Sequence, residues 1–248
     1  VQTCALPIYV TLYVGENLSY ENEKIFHASA AELTEYRGDA LSVVTACNEK
    51  ALPLPAVHGI CDEEFLRGKA PMTKEEVRTV SLSKLRLQED SVCYDVGAGT
   101  GSVSVEMALR AWKGQVYAIE KKEDALALLK ENRRKFATDN LEIVPGTAPE
   151  AMVELPVPTH AFIGGSSGNM NEIIRLLLDK NPGVRIVINC ITLETVTEAM
   201  NAIRDFSLTD VDIVQLSAAR SKSIGRYHMM MGENPIYIIS CSGRGEEI

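Results

Sequence analysis

The sequence lacks any apolar run long enough for a membrane-spanning helix, because its longest apolar stretches are only strand-sized. It also lacks the basic segment and long apolar core that mark a secretory signal peptide. Positive charge is scarce: 25 lysines and arginines stand against 34 aspartates and glutamates, a formal net charge of −9. Since a nucleic-acid partner requires a basic face, this balance argues against one. We therefore expect a cytoplasmic protein that binds neither membranes nor nucleic acids.

Cysteine and histidine are also few, with six and four residues and no Cys-x-x-Cys pair. Because metal sites need closely spaced ligands, we expect no metal, and we expect the cysteines to be reduced, buried thiols. The remaining composition, 46% hydrophobic and 24% charged, is typical of a globular protein. A length of 248 residues allows one large domain and a fragment. Residues 1–8 look like translated adapter sequence.

The most informative stretch is the segment 91–109. A short apolar run ends at Asp95, then Gly97, Gly99 and Gly101 alternate with other residues before a helical pattern begins. This order predicts a buried parallel strand, a tight loop and a helix. Glycines let the backbone approach a ligand, and free N–H groups at the helix start suit an electron-rich group. The segment is therefore predicted to bind a cofactor.

The glycine spacing indicates which cofactor. The dinucleotide fingerprint requires Gly-x-Gly-x-x-Gly, and its third position falls on Ser102 here. The pattern Asp-x-Gly-x-Gly-x-Gly instead resembles motif I of class I S-adenosylmethionine (SAM) methyltransferases. Glu120 ends the next predicted strand, where an acid can accept ribose hydroxyls in NAD and SAM sites alike. The spacing, and not Glu120, therefore favours SAM.

Strand and helix patterns alternate from residue 91 onward, which predicts a doubly wound α/β sheet with right-handed crossovers and ligands at the carboxyl ends of its strands. A capping box formed by Thr73 and Glu76 is predicted to start the first helix. The predicted strands are 92–96, 115–120, 141–144, 159–163, 185–189, 212–217 and 235–240, and the predicted helices are 74–82, 102–112, 124–137, 170–180 and 194–206.

The chain upstream of this region has a different pattern. A strand after residue 9, a turn, a short helix over 28–36 and a strand over 41–47 resemble the tail of the tetrapyrrole (precorrin) methylase fold. We therefore predict a truncated methylase tail at 1–50, a linker at 51–70 and a SAM-dependent domain at 71–248.

A more specific resemblance comes from five segments together, 72–78, 95–106, 146–150, 162–168 and 234–239. They are similar to the decarboxylating precorrin C15-methyltransferases of cobalamin biosynthesis. In two-domain members of that family this domain follows a precorrin C5-methyltransferase, as the order here suggests. The resemblance implies a Rossmann-like sheet with an antiparallel last strand, SAM as cofactor, a precorrin or cobalt-precorrin substrate, a homo-oligomer, and a covalent or separate C5-methyltransferase domain.

Carried over by position, the family's SAM site implies a set of cofactor residues in this chain. Thr147 stands where the family often has aspartate, so the adenine edge loses a charged contact there. The implied cofactor residues are Thr73, Asp95, Gly97, Ala98, Gly99, Thr100, Gly101, Glu120, Thr147 and Ala148.

The substrate implied by the resemblance carries many carboxylates. The turn 164–168 replaces the tetrad that amino-group methyltransferases use there, and its N–H groups could bind an anion, although a flexible turn is the alternative. Arg220, Lys222 and Arg226 offer cations, or form a solvated loop. The candidate substrate residues are Gly165, Ser166, Ser167, Asn189, Arg220, Lys222 and Arg226.

No Ser-His-Asp or Cys-His spacing indicates a nucleophile, and no single residue is assigned as catalytic base. Two other function classes stay open at this stage. One is a methyltransferase acting on another small molecule or on RNA. The other is a non-catalytic subunit of a pathway complex.

Overall fold

The computed structural model describes residues 10–48 and 58–245, and the chain divides into two compact units, Val1–Pro55 and Ala56–Ile248. The first unit holds β1 (Val10–Glu16), β2 (Lys24–Ser29) and β3 (Ser42–Asn48), an antiparallel sheet in the order β2-β1-β3. Residues 1–8, predicted to be adapter sequence, and residues 51–57 of the predicted linker lie outside the described residues.

The predicted helix over 28–36 is wrong. Ala28 pairs with Leu12 of β1, so the start of this range belongs to β2, and turns follow over 31–35. Glu32 accepts hydrogen bonds from both the amide and the hydroxyl of Ser29. A side chain that bonds its local backbone in this way stabilises a turn over a helix.

The second unit is built on a seven-stranded sheet in the order β6-β5-β4-β7-β8-β12-β9. Five neighbouring strands are parallel, and β12 runs antiparallel between β8 and β9. The elements are α1 (Glu75–Leu85), β4 (Val92–Val96), α2 (Ser102–Arg110), β5 (Gln115–Glu120), α3 (Glu123–Lys135), β6 (Leu141–Pro145), β7 (His160–Ile163), α4 (Met170–Lys180), β8 (Arg185–Cys190), α5 (Leu193–Asp205), β9 (Thr209–Leu216), β10 (Ala219–Ile224), β11 (Tyr227–Gly232) and β12 (Ile236–Ser242).

Two hydrophobic cores lie on the two faces of this sheet. Helices α1, α2 and α3 contribute to the first through residues such as Leu85, Met107 and Leu129, which are fully buried. Helices α4 and α5 contribute to the second through residues such as Ile173 and Ala199. Helices on both faces leave the carboxyl ends of the strands open, and this edge is where such folds bind ligands.

The start of α1 differs from the predicted capping box. Lys74 is the N-cap residue, and no side chain caps the helix from that position. Asp62 Oδ1 accepts the Glu75 N–H at 3.0 Å, while the Glu76 carboxylate pairs with Arg220. Asp62, which is distant in the sequence, therefore accepts an N–H group of the first helical turn in place of Thr73. Glu76 pairs with Arg220 and does not complete a capping box.

The described part of the predicted linker is instead integral to the second unit. We call residues 58–73 the lead-in segment. Its Ile60, Asp62 and Phe65 are buried, and Asp62 is part of a fully buried ion network with Arg78 and Glu106. Because a buried arginine requires such partners, Asp62 is part of the core of the second unit. Residues 58–70 of the predicted 51–70 linker therefore belong to that unit.

The segment before the last strand also differs from the sequence reading. The sequence predicts a solvated loop as one interpretation of the segment with Arg220, Lys222 and Arg226, but β10 and β11 form a two-stranded hairpin there. Within residues 10–48 and 58–245, no helix has the length and apolar character that a membrane crossing requires. The same residues contain no cluster of metal-ligating side chains.

Candidate functional site

The three glycines of the loop 97–101 each have a positive φ, and each contacts a different part of the fold. A Cβ at Gly97 would lie 2.9 Å from the Gly165 carbonyl oxygen, and one at Gly99 would lie 2.8 Å from the Pro71 carbonyl oxygen. A Cβ at Gly101 would overlap the Leu129 side chain of α3. The alternating glycines thus let one loop pack against the turn after β7, the lead-in segment and α3 at once.

Glu120, at the carboxyl end of β5, holds this loop in place. Its Oε2 accepts the Gly99 N–H at 2.9 Å, and its Oε1 accepts the Lys121 and Lys122 N–H groups at 2.8 and 2.9 Å. An ionised carboxylate has about four acceptor positions, so roughly one is left, on Oε2. Glu120 can therefore accept one further hydroxyl without breaking a backbone hydrogen bond.

Asp95 lies beneath the loop and lines neither of the cavities described below. It is fully buried and accepts a hydrogen bond from the Ser104 hydroxyl of α2. Burial raises the pKa of Asp95 to about 7, the Ser104 hydrogen bond opposes the rise, and the Glu120 charge adds to it. Its contact with Ser104 fixes the first turn of α2 behind the loop.

A first cavity of ≈ 200 Å³ opens at the carboxyl ends of β4 and β5. Its lining includes the apolar residues Val96, Ile119 and Ala125 and the carboxylate of Glu120. An apolar ring and a hydroxylated sugar both fit this chemistry. Of the predicted residues, the cavity brings together Gly97, Gly99, Glu120, Thr147, Ala148, Gly165, Ser166 and Ser167.

The other predicted cofactor residues lie outside this lining. The Thr73 carbonyl accepts a hydrogen bond from Arg78 Nη1 at 2.7 Å, so its backbone serves the buried ion network. Ala98 is buried, and Gly101 packs against α3. Thr100 is almost fully buried, and its hydroxyl has no partner among the described residues.

A second cavity of ≈ 340 Å³ lies beside the first and shares the stretch 164–167 with it. Asn189 of β8 lines it, together with Thr192, Thr195 and Glu198 from the start of α5. The Asn189 side chain is only 8% exposed; Ser81 Oγ lies 3.0 Å from its Oδ1, and its Nδ2 has no partner among the described residues. The two cavities thus offer adjoining sites separated by one loop.

The turn predicted at 164–168 to bind an anion has fewer free N–H groups than the sequence suggests. The N–H groups of Gly164 and Gly165 both donate to the Val96 carbonyl, at 2.9 and 3.3 Å. The amides of Ser166 and Ser167 have no protein partner in the described part of the chain, and Ser167 has φ +54°. Two N–H groups, and not the whole turn, are therefore available to a ligand.

The three predicted cations of the hairpin do not act as one cluster. Arg220 makes a bidentate contact with Glu76, at 3.1 and 2.7 Å, and lies 3.4 Å from Asp62. Lys222 and Arg226 are exposed and have no carboxylate partner among the described residues. None of the three lines either cavity, and the Arg220 charge is already neutralised.

Sequence reasoning missed Lys121 as a site residue. Its ammonium donates to the Ser167 hydroxyl at 3.0 Å, which joins the end of β5 to the turn after β7. Lys121 lines the first cavity and has no carboxylate partner among the described residues. Lys121 directly follows Glu120, the last residue of β5, and this position at the carboxyl end of a strand could have identified it from the sequence.

Comparisons with known proteins agree with this architecture. A family model described as a precorrin methyltransferase domain matches residues 64–242. A probable cobalt-precorrin-6B C(15)-methyltransferase (decarboxylating) of Pyrobaculum calidifontis is 44% identical over 188 residues, covering 75% of this chain and 96% of that protein. The cobalt-precorrin-6B C(15)-methyltransferase (decarboxylating) of Salmonella typhimurium is 42% identical, covering 73% and 94%.

Among solved structures, precorrin-6y C5,15-methyltransferase from Geobacter metallireducens aligns with a TM-score of 0.71 at 39% identity. The alignment covers 75% of this chain and 99% of that one. Together with the strand order and the antiparallel β12, this likeness confirms the predicted class I methyltransferase fold.

Proposed function

The chain belongs to the precorrin methyltransferase family, and from that membership we propose that it methylates C15 of a precorrin or cobalt-precorrin ring with loss of an acetate carboxylate as carbon dioxide. This is a late ring-modification step of cobalamin biosynthesis. The observation that carries the proposal is the pair of adjoining cavities at the sheet's carboxyl edge. One suits a cofactor and the other a substrate, and they share a single loop.

The first cavity is assigned to SAM, which supplies an electrophilic methyl group when bound. Gly97 and Gly99 let the loop backbone approach the cofactor, because side chains there would strike Gly165 and Pro71. Glu120 Oε2 would accept a ribose hydroxyl with its remaining acceptor position. Val96, Ile119 and Ala148 line the cavity and would enclose the apolar part of the cofactor.

The second cavity is assigned to the ring. Ser166 and Ser167 line both cavities, and Lys121, which donates to the Ser167 hydroxyl, lines the first. Their unpaired amides and the Lys121 ammonium are therefore our candidates for binding a substrate carboxylate where the two cavities adjoin. Arg220 is excluded from this role by its ion pairs with Glu76 and Asp62. Lys222 and Arg226 stay as exposed candidates for more distant carboxylates.

The chain's contribution to the reaction is alignment and exclusion of water. A ring carbon would take the methyl group as its bond to the cofactor sulfur breaks, which releases S-adenosylhomocysteine. The electron pair of the broken C–CO₂ bond would stay in the conjugated ring until a proton is added to the former acetate carbon. The protein therefore needs no covalent nucleophile. Good positioning contributes up to roughly 7–11 kcal/mol to such a step.

A binding and turnover series tests this proposal against its rivals. We expect calorimetry to show binding of S-adenosylhomocysteine (SAH), the demethylated cofactor, which a non-catalytic subunit would not bind. We expect methyl transfer to a precorrin and none to transfer RNA; the reverse result would assign the chain to another methyltransferase class. Lys121→Gln should raise the KM for the ring several-fold, with Lys130→Gln, an exposed lysine of α3 that lines neither cavity, as the matched control.

Residues 10–48 are proposed to be the tail of a C5-methyltransferase domain. The glycine-rich loop lies in the second unit, and residues 10–48 hold only the isolated glycines Gly15 and Gly38. We therefore expect residues 10–48 and 58–245 to add one methyl group to the ring and not two. A product carrying two new methyl groups would contradict this assignment.

A further inference from the structure

Asn132, in the last turns of α3, is fully buried and makes three hydrogen bonds through its amide. Its Oδ1 accepts the Leu66 N–H at 2.8 Å. Its Nδ2 donates to the Leu66 carbonyl at 3.1 Å and to the Thr100 carbonyl at 2.9 Å. One side chain thus joins α3, the lead-in segment and the loop 97–101.

Both of the segments that Asn132 holds form walls of the first cavity. Thr100 lies between Gly99 and Gly101 of the glycine loop. Four residues after Leu66, the lead-in segment places Ala70 and Pro71 in the cavity lining, with the Pro71 carbonyl against Gly99. A shift of either segment would change the distance between these walls.

A second set of hydrogen bonds holds the lead-in segment near its two ends, at Gly59 and Ile60 and at Thr73. Arg78 donates from Nε to Glu106 Oε1 at 2.5 Å and from Nη1 to the Thr73 carbonyl at 2.7 Å, and it also bonds the Ile60 carbonyl. Glu106 in turn accepts the Gly59 and Ile60 N–H groups at 3.0 and 3.1 Å. This network fixes the lead-in segment to α1 and α2, and within residues 10–48 and 58–245 none of its side-chain hydrogen bonds reaches the glycine loop.

Only the Asn132 amide, therefore, ties the lead-in segment to the glycine loop by side-chain hydrogen bonds among the described residues. We propose that Asn132 is a positioning residue, which sets the spacing between the glycine loop and the lead-in segment that cofactor binding requires. The inference rests on the proposed function, since it takes the first cavity as the SAM site.

Asn140 provides a matched control for a purely structural role. It is also a buried asparagine, and its Nδ2 donates to the Ala108 and Ala111 carbonyls at 3.0 and 2.8 Å. It precedes β6, so it lies at the amino ends of the parallel strands, away from both cavities. Loss of its amide should lower stability without altering the cofactor site.

The test measures SAH affinity by calorimetry and the unfolding midpoint for the parent, Asn132→Ala and Asn140→Ala. We expect both variants to lose thermal stability, and we expect only Asn132→Ala to raise the SAH dissociation constant, by about tenfold or more. Asn132→Asp keeps the acceptor for the Leu66 N–H and removes the donors, so it should weaken binding as well and serves if Asn132→Ala does not fold.

Folded Asn132 variants that bind SAH within twofold of the parent would overturn the inference, as would an equal loss of affinity in Asn140→Ala. A parent that fails to bind SAH would instead contradict the proposed function. The two failures are therefore distinguishable.

Discussion

The Gly99 amide donates a hydrogen bond to Glu120, with Gly99 N and Glu120 Oε2 2.9 Å apart. The glycine loop after β4 and the acid at the end of β5 are thus one hydrogen-bonded unit. Residues that the sequence suggested as two separate cofactor contacts depend on each other in the fold. Changes at either residue should therefore affect both loop order and cofactor affinity.

Glu120→Ala should weaken SAH binding by about one to two orders of magnitude, because a charged acceptor contributes roughly 1.5–3 kcal/mol. The variant should also lose stability, since the Gly99, Lys121 and Lys122 amides lose their shared acceptor. Calorimetry and thermal unfolding measure the two effects. Glu131→Ala, an exposed acid on α3, is the charge-matched control, and affinity within twofold of the parent in Glu120→Ala would place the ribose elsewhere.

Gly99→Ala should abolish or strongly reduce SAH binding while the domain stays folded. Its Cβ would lie 2.8 Å from the Pro71 carbonyl oxygen, so the lead-in segment must move. Gly225→Ala has a similar positive φ, but its Cβ would meet no atom within 4 Å. Both variants incur the same backbone strain, about 1 kcal/mol, so equal affinities measured by calorimetry would show that the Pro71 contact does not matter.

Arg220→Gln should lower the free energy of unfolding by about 1–2 kcal/mol, because it breaks a bidentate pair with Glu76 and a contact with buried Asp62. Lys222→Gln on the same hairpin should change it by less than about 0.5 kcal/mol. Denaturant unfolding of the two variants decides this. If Arg220→Gln is as stable as the parent and has a raised KM for the ring, this prediction is wrong. Arg220 would then bind substrate, as the sequence suggested.

Asp95 should make stability depend on pH in a defined direction. Its pKa in the fold is raised by burial from an ordinary 3.8 to about 7, so the fold favours the protonated acid. The stability that this preference contributes is complete below about pH 4 and is lost as the pH rises to about 7. Asp95→Asn removes this dependence.

The free energy of unfolding of Asp95→Asn, relative to that of the parent, should therefore increase by roughly 3–4 kcal/mol between these two pH values. Denaturant unfolding across the range measures it, with the exposed acid in Asp90→Asn as control. A difference that stays constant with pH would mean that Asp95 is already ionised in the fold.

The sheet was predictable because each parallel strand is a short apolar run followed by a helix with its own period. The glycine spacing also predicted the loop, and the end of the next apolar run predicted the position of its partner Glu120. The hairpin was not predictable in the same way. Residues 219–224 pair with 227–232 but are mostly exposed, so neither strand carries the alternation of a half-buried strand.

Long-range polar contacts were beyond the reach of local patterns. Asn132 and Leu66 are 66 positions apart, and Arg78 meets Glu106 from 28 positions away. Asn132 and Arg78 look like solvated helix residues in the sequence, yet both are fully buried. The predicted capping box at Thr73 failed for the same reason, since Asp62 and Arg220 reach that helix start from distant parts of the chain.

The most direct test of the central claim is the product formed from a precorrin and SAM that carries a deuterium-labelled methyl group. We expect mass spectrometry to show a product with one labelled methyl group gained and one carbon dioxide lost, and expect Glu120→Ala to form it much more slowly at low SAM concentration. Labelled product that retains every carboxylate, or no product from a parent protein that binds SAH, would contradict the account.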